Sequence, residues 1–113
     1  MHEYSVVQAL LNQCEDVAEQ NNANMVTKVI TKIGVMSGIE THLLQTAFDT
    51  FKEGTICDGA EFIINEQKVK LHCNSCRTEF EIDEVRYACT ECESLDVKVI
   101  DGEDMYLMSL EME

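Results

Sequence analysis

The sequence has no proline and no tryptophan, only five glycines, and only eight Lys and Arg against 22 Asp and Glu in 113 residues. Without proline there is no stiff extended linker. So few basic residues exclude nucleic acid and anionic membrane as main partners, because both are held by clustered Lys and Arg. The resulting net charge of -14 favours cations or basic partners instead. No apolar run reaches the roughly 18 residues that would span a bilayer. No glycine-rich phosphate loop and no Ser–His–acid spacing occurs, so no enzyme is expected. Met1-His2-Glu3-Tyr4-Ser5 has neither a basic flank nor a following apolar stretch, so no secretory signal is read there. The chain is accordingly expected in the cytoplasm, where thiols stay reduced.

Cysteine, by contrast, is abundant, with six residues. Cys73-Asn74-Ser75-Cys76 and Cys89-Thr90-Glu91-Cys92 are two C-x-x-C knuckles separated by twelve residues. Each two-residue gap turns both sulfurs toward one point, and two pairs complete a tetrahedral shell around Zn²⁺ with Zn–S of about 2.3 Å. A closed four-thiolate shell leaves no open position, so the zinc is structural and its binding energy is folding energy. Iron in the same thiolate geometry is the nearest rival. A redox dithiol would occur once, at a helix start in a βαβ context, and is disfavoured here. Cys14 falls on an apolar helical stripe and reads as a buried core thiol. Cys57, in the turn Cys57-Asp58-Gly59, is placed nearer solvent and given no function.

With 45% hydrophobic residues the chain supports one small domain carrying a mini-domain, short of core and in need of a staple. Val7, Leu10, Leu11, Cys14, Val17 and Ala18 recur at helical spacing, and Gln20-Asn21-Asn22 ends that helix. Met25 to Val35 alternates as a strand, with Val29, Thr31, Ile33 and Val35 on one face and Val26, Lys28, Ile30 and Lys32 on the other. Ser37-Gly38-Ile39-Glu40 fits a capping box opening a second helix with Leu43, Leu44, Ala47, Phe48 and Phe51 as its stripe. Ala60 to Glu66 reads as a strand, Lys68 to Leu71 as a segment leading out of the sheet, Val97 to Ile100 as the strand closing the cysteine module, and Met105 to Met112 as a strand returning to the first sheet. The fold class is α+β: two helices packed on a roughly three-stranded sheet, with an inserted four-cysteine zinc-ribbon module. The expected domains are 1–67 plus 103–113, discontinuous, and 68–102, the ribbon.

The terminus is a second candidate site. The α-amine of Met1, the backbone nitrogens of His2 and Glu3, and an imidazole nitrogen of His2 surround one metal through fused chelate rings, a planar nitrogen set suited to Ni²⁺ or Cu²⁺. The Glu3 carboxylate adds an axial or alternative ligand. His72, beside Cys73, reads as a residue at a strand end, since a completed four-thiolate shell needs no imidazole. His42 reads as a surface residue.

Met1-His2-Glu3, the following helix, the Val29, Ile30, Ile33, Gly34, Val35 strand, Phe48-x-x-Phe51, the two knuckles and the terminal Leu107-Met108-Ser109-Leu110-Glu111-Met112 strand together resemble the HypA family of hydrogenase nickel-insertion chaperones over the whole chain. The resemblance implies a metallochaperone binding transient Ni²⁺ through Met1, His2 and Glu3, with structural zinc in the ribbon. It also implicates a carboxylate at the place of Glu40, which equally fits the capping box. The implied partners are a maturation GTPase and the hydrogenase large subunit, with urease maturation proteins in some bacteria; the implied state is a monomer or weak homodimer. A zinc-ribbon interaction module without a nickel role is the alternative. Residues 74–113 hold 12 acidic and 3 basic residues, so the charge concentrates on the zinc module and tail, as a solubility and docking surface.

Overall fold

The structure is a computed structural model that describes residues 3–84 and 86–113. The elements run α1 (Glu3–Gln20), β1 (Val26–Gly34), α2 (Thr41–Phe51), β2 (Glu61–Gln67), β3 (Val69–Cys73), β4 (Glu79–Ile82), β5 (Val97–Asp101) and β6 (Met105–Met112). Two three-stranded sheets form, ordered β2-β1-β6 and β4-β3-β5. The chain divides into two compact units: Met1–Lys32, Ile39–Asn65 and Tyr106–Glu113 make the first, and Ile33–Gly38 with Glu66–Met105 the second.

In the first unit α1 buries Val7, Leu10, Leu11, Cys14 and Ala18, the three- and four-residue spacing that places side chains on one helical face. Its end is set by Asn22, at φ 54, whose left-handed backbone lets the Ala23 N–H return to the Ala18 carbonyl at 2.9 Å, a Schellman-type closure. The helices pack on each other, and α2 adds Leu44 and Phe48 to the core. The Phe48 ring stacks on Phe62 of β2 at 4.2 Å with an interplanar angle of 14°. Thr31, fully buried, stays satisfied because its hydroxyl donates to the Ile63 carbonyl at 3.0 Å, as a buried polar group must.

The first sheet is mixed. Thr31 meets Ile63, and further along the Val35 N–H donates to Gln67, so β1 and β2 advance together and are parallel, joined by α2 as a crossover. Met25 pairs with Glu113 in both directions, while Gly34 donates to Asp104, so β6 runs antiparallel to β1. In the second unit β3 is central, with antiparallel registers Leu71↔Phe80 and His72↔Glu79 on one side and Leu71↔Val99 and Cys73↔Val97 on the other.

Several details depart from the sequence pattern. The helix after Ser37 starts at Thr41 with Glu40 as N-cap and no side-chain capping bond, because Gly38 takes φ 81, which no helical turn can include. Val26 is buried along with Val29, Thr31 and Ile33, so alternation holds only from Val29 onward. Val35 lies beyond the strand and is 51% exposed. The segment from Val69 does not lead out of a sheet but forms the centre of the second one.

Within the second unit, three backbone stretches meet without room for a side chain. A Cβ on Gly34 would stand 2.2 Å from the carbonyl carbon of Gly102, and one on Gly102, at φ 105, would stand 2.6 Å from the Val69 Cα. Both clashes are with backbone, which cannot swing away. Gly34→Ala is therefore expected to lower the unfolding free energy of the zinc-loaded protein by more than about 2 kcal/mol, read from urea unfolding; a loss below about 0.5 kcal/mol, the level of an ordinary surface change, would contradict this packing.

Candidate metal centre

The two knuckles fold by the same local rule. In the first, the Arg77 N–H donates to the Cys73 carbonyl at 2.8 Å; in the second, the Glu93 N–H donates to the Cys89 carbonyl at 3.0 Å. Arg77 and Glu93 both take φ 63, the left-handed turn that lets the chain double back after the second cysteine. Each knuckle then closes on its own start: Cys73 N–H donates to the Thr78 carbonyl and Cys89 N–H to the Ser94 carbonyl, both at 2.9 Å. The hydroxyls of Ser75 and Ser94 tie the knuckles together at 2.9 Å, as do Asn74 and Asp96 at 3.1 Å.

This brings the four sulfurs of Cys73, Cys76, Cys89 and Cys92 within 4.8 Å of one another. Cys73 and Cys92 approach to 3.6 Å, and so do Cys76 and Cys89. Those separations are far too long for S–S bonds of about 2.05 Å. They match the roughly 3.8 Å edge of a tetrahedron with Zn–S near 2.3 Å. Backbone N–H groups point at the sulfurs, Cys76 to Cys73 at 3.5 Å and Cys92 to Cys89 at 3.4 Å, the arrangement that supports thiolate charge. The donor set therefore fits a structural zinc ion held by four thiolates with no position left for a substrate.

The thiols are not equivalent. The hydroxyl and N–H of Thr78 lower Cys76 to about 6, the N–H groups of Cys76 and Ser75 lower Cys73, and Cys92, drawn down by the Ser94 N–H, is nevertheless pushed up to about 12 by burial and the three neighbouring thiols. Thr78 and Ser94 are functional neighbours that reading the cysteines alone overlooks. The signal was present as a repeat, C-x-x-C-x-Thr at 73–78 and C-x-x-C-x-Ser at 89–94. His72 stands opposite Glu79, its Nδ1 3.4 Å from the carboxylate, and lies outside the sulfur cluster.

At the other candidate site, Met1 and His2 lie outside the described residues. Glu3 opens α1 and is only 6% exposed, because its carboxylate accepts the Glu40 N–H at 3.3 Å, at the start of α2. Next to it, the Tyr4 ring meets Phe51 edge-on at 4.5 Å. Glu40 itself is exposed and makes no side-chain capping bond. His42 is exposed. Cys57 is fully buried, like Cys14. The two thiols share a hydrogen bond, which together with burial raises Cys14, so the turn at Cys57 packs inward onto α1.

A family model described as hydrogenase/urease nickel incorporation, metallochaperone, hypA matches residues 1–112. The chain is 51% identical over 113 residues to the hydrogenase maturation factor HypA of Aquifex aeolicus (strain VF5), covering 100% of this chain and 98% of that one. It is also 51% identical over 113 residues to the HypA of Shewanella baltica (strain OS195), covering 100% and 97%. Among solved structures, the Ni metallochaperone HypA from Helicobacter pylori matches with a TM-score of 0.71 and 38% identity, covering 99% of this chain and 97% of that one.

Because the zinc-binding energy is also the folding energy of this unit, the thiols of the metal-free chain lie near the ordinary cysteine range of about 8.5, and zinc displaces most of their four protons at neutral pH. Zinc affinity therefore falls as pH drops. Isothermal titration in buffers of different ionisation enthalpy counts the protons; release of one or none at about pH 7 would overturn the four-thiolate assignment.

Proposed function

The chain belongs to the HypA family of hydrogenase and urease nickel-incorporation metallochaperones, and from that premise we propose that its own cargo site is the terminus. The donors are the Met1 α-amine, the backbone nitrogens of His2 and Glu3, and the His2 imidazole. The observation that carries this reading is the commitment of the Glu3 carboxylate to the Glu40 N–H. With that side chain bonded and buried, Glu3 offers a backbone nitrogen more readily than a carboxylate. As the first residue of α1, it has an N–H without an intrahelical acceptor.

Nickel sits uneasily as a bare cation at a helix start, where the macrodipole is positive. Two deprotonated backbone amides supply two negative charges and cancel that of Ni²⁺, so the bound group is neutral toward the helix. Planar nitrogen ligation suits Ni²⁺, and the same open chelate gives a recipient's ligands an associative route to the ion. Glu40, exposed and bearing no capping bond, is the carboxylate placed to take a further position.

The zinc of the four-cysteine cluster is structural: it holds the knuckles in register and takes no part in the transfer. We assign residues 1–67 plus 103–113 to a nickel domain and residues 68–102 to a zinc domain; the compact units of the fold differ from these limits in that the second also takes in Ile33–Gly38, residues 66–67 and residues 103–105. Delivery to a hydrogenase large subunit with a maturation GTPase follows from the family, and urease maturation proteins are a further recipient class. No helix of the described residues is long and apolar enough to cross a membrane, and the free thiols suit a reducing cytoplasm.

In the untagged, zinc-loaded protein, His2→Ala is expected to weaken Ni²⁺ binding by roughly 100-fold or more, beyond what outer-sphere changes cost, while leaving one zinc per chain. Nickel titration followed by the planar d–d absorption band reads the result. Wild-type affinity in His2→Ala would refute the terminal site and favour a zinc-ribbon interaction module with no nickel role. A tag ahead of Met1 is expected to act like the mutation, since it removes the α-amine.

A further inference from the structure

The second unit contains a cleft of about 660 Å³ beside the Cys89 knuckle, within the range of roughly 300–1,000 Å³ typical of ligand sites. Its apolar lining comes from Ile82, Tyr87, Ala88 and Leu95, and its charged lining is four acidic residues against one basic, Arg86. Tyr87 is 42% and Leu95 79% exposed, so this surface stands in water without cover from the described residues. Two carboxylates on its rim, Glu84 and Glu93, have no ion pair or hydrogen bond among the described residues. The neighbouring Asp83 is neutralised by Lys68 at 2.6 Å, and Glu81 accepts from Gln67 at 2.8 Å.

The surrounding field is negative. Residues 74–113 carry 12 acidic and 3 basic side chains, and a zinc ion bound by four thiolates adds a further charge of about -2. A second copy of this chain brings net charge -14 and the same acidic surface, so self-association is repelled. The geometry points to a docking cleft for a basic segment of a protein partner. An aliphatic or aromatic side chain of that segment lies against Tyr87 and Leu95, and a flanking Lys or Arg faces Glu84 and Glu93. Apolar contact supplies most of the affinity, and the rim charges supply steering and choice of partner. Because Cys89 and Thr90 form part of the wall, the ion that fixes Cys89 also fixes the cleft, and docking requires zinc-loaded protein. This inference is independent of where nickel binds.

The probes are fluorescently labelled peptides of alternating leucine and arginine, of alternating serine and arginine, and of alternating leucine and glutamate, titrated against the zinc-loaded full chain. The leucine–arginine peptide is expected to bind at least about tenfold more tightly than either control. Leu95→Ser, and separately the double change Glu84→Gln with Glu93→Gln, are each expected to weaken it about fivefold or more. Glu15→Gln with Asp16→Asn, on exposed α1, removes the same charge elsewhere and is expected to leave affinity within about twofold. Equal binding of the serine–arginine peptide, or equal loss in the α1 variant, would reduce the effect to bulk charge and overturn the cleft. Should a cleft variant fail to retain zinc, amide shift mapping of the wild type with the leucine–arginine peptide decides. Shifts confined to residues 81–95 support the cleft; shifts elsewhere, or undiminished binding after zinc chelation, reject it.

Discussion

The second unit rests on the convergence of four thiolates on one cation. Its buried apolar residues among those described are Ile33, Val69, Leu71 and the cysteines Cys73 and Cys89. That is too little to offset the ordering of some forty residues at roughly 1–2 kcal/mol each. A tetrahedral thiolate site supplies on the order of 10–16 kcal/mol of binding free energy at neutral pH. The knuckle hydrogen bonds, the left-handed residues Arg77 and Glu93, and the Ser75–Ser94 contact all bring the four sulfurs together for one ion. Where a glycine would sit comfortably at φ 63, the chain carries Arg and Glu, and the metal outweighs a backbone cost of about 1 kcal/mol at each.

The first unit is held by different means. Its core is apolar, built from α1, α2 and the strands they cover, and it needs no ion to fold. The proposed terminal site therefore fills and empties without unfolding this core, as cargo requires. Glu3 and Tyr4, through Glu40 and Phe51, hold the start of α1 against α2. The all-sulfur cage for zinc and the proposed planar nitrogen chelate for nickel differ enough in ligand type to keep each ion in its own place.

Much of this was legible in local pattern. The spacing of Val7, Leu10, Leu11, Cys14 and Ala18 gave α1, the β6 limits at Met105 and Met112 followed from an apolar run, and the two knuckles were visible as repeated spacing. What escaped was set by contacts distant in sequence or by backbone conformation. The parallel pairing of β1 with β2 depends on how α2 crosses over. The central place of β3 depends on two partners, one of them twenty-odd residues away. α2 starts later than the capping-box pattern implies, because the left-handed Gly38 looks, in sequence, like the second position of a capping box. Cys57 looked like a turn residue near water because nothing local announces that it faces Cys14. The equivalent places of Thr78 and Ser94 are the opposite case: the repeat C-x-x-C-x-[Ser/Thr] is present in the sequence itself.

Charge placement joins the two halves of the argument. A nickel carrier that bound its ion through surface carboxylates would bind many divalent ions weakly and at many places, since hard oxygen ligands favour Mg²⁺, Ca²⁺ and Mn²⁺. With the cargo on nitrogen donors, as proposed, the 22 acidic residues are free for another use. They are densest in residues 74–113, the zinc unit and tail, where the ion only holds the knuckles together. On these two proposals the protein separates selection of the metal, which is a matter of donor atoms and geometry, from selection of the partner, which is a matter of shape and field. Either can change in sequence without disturbing the other.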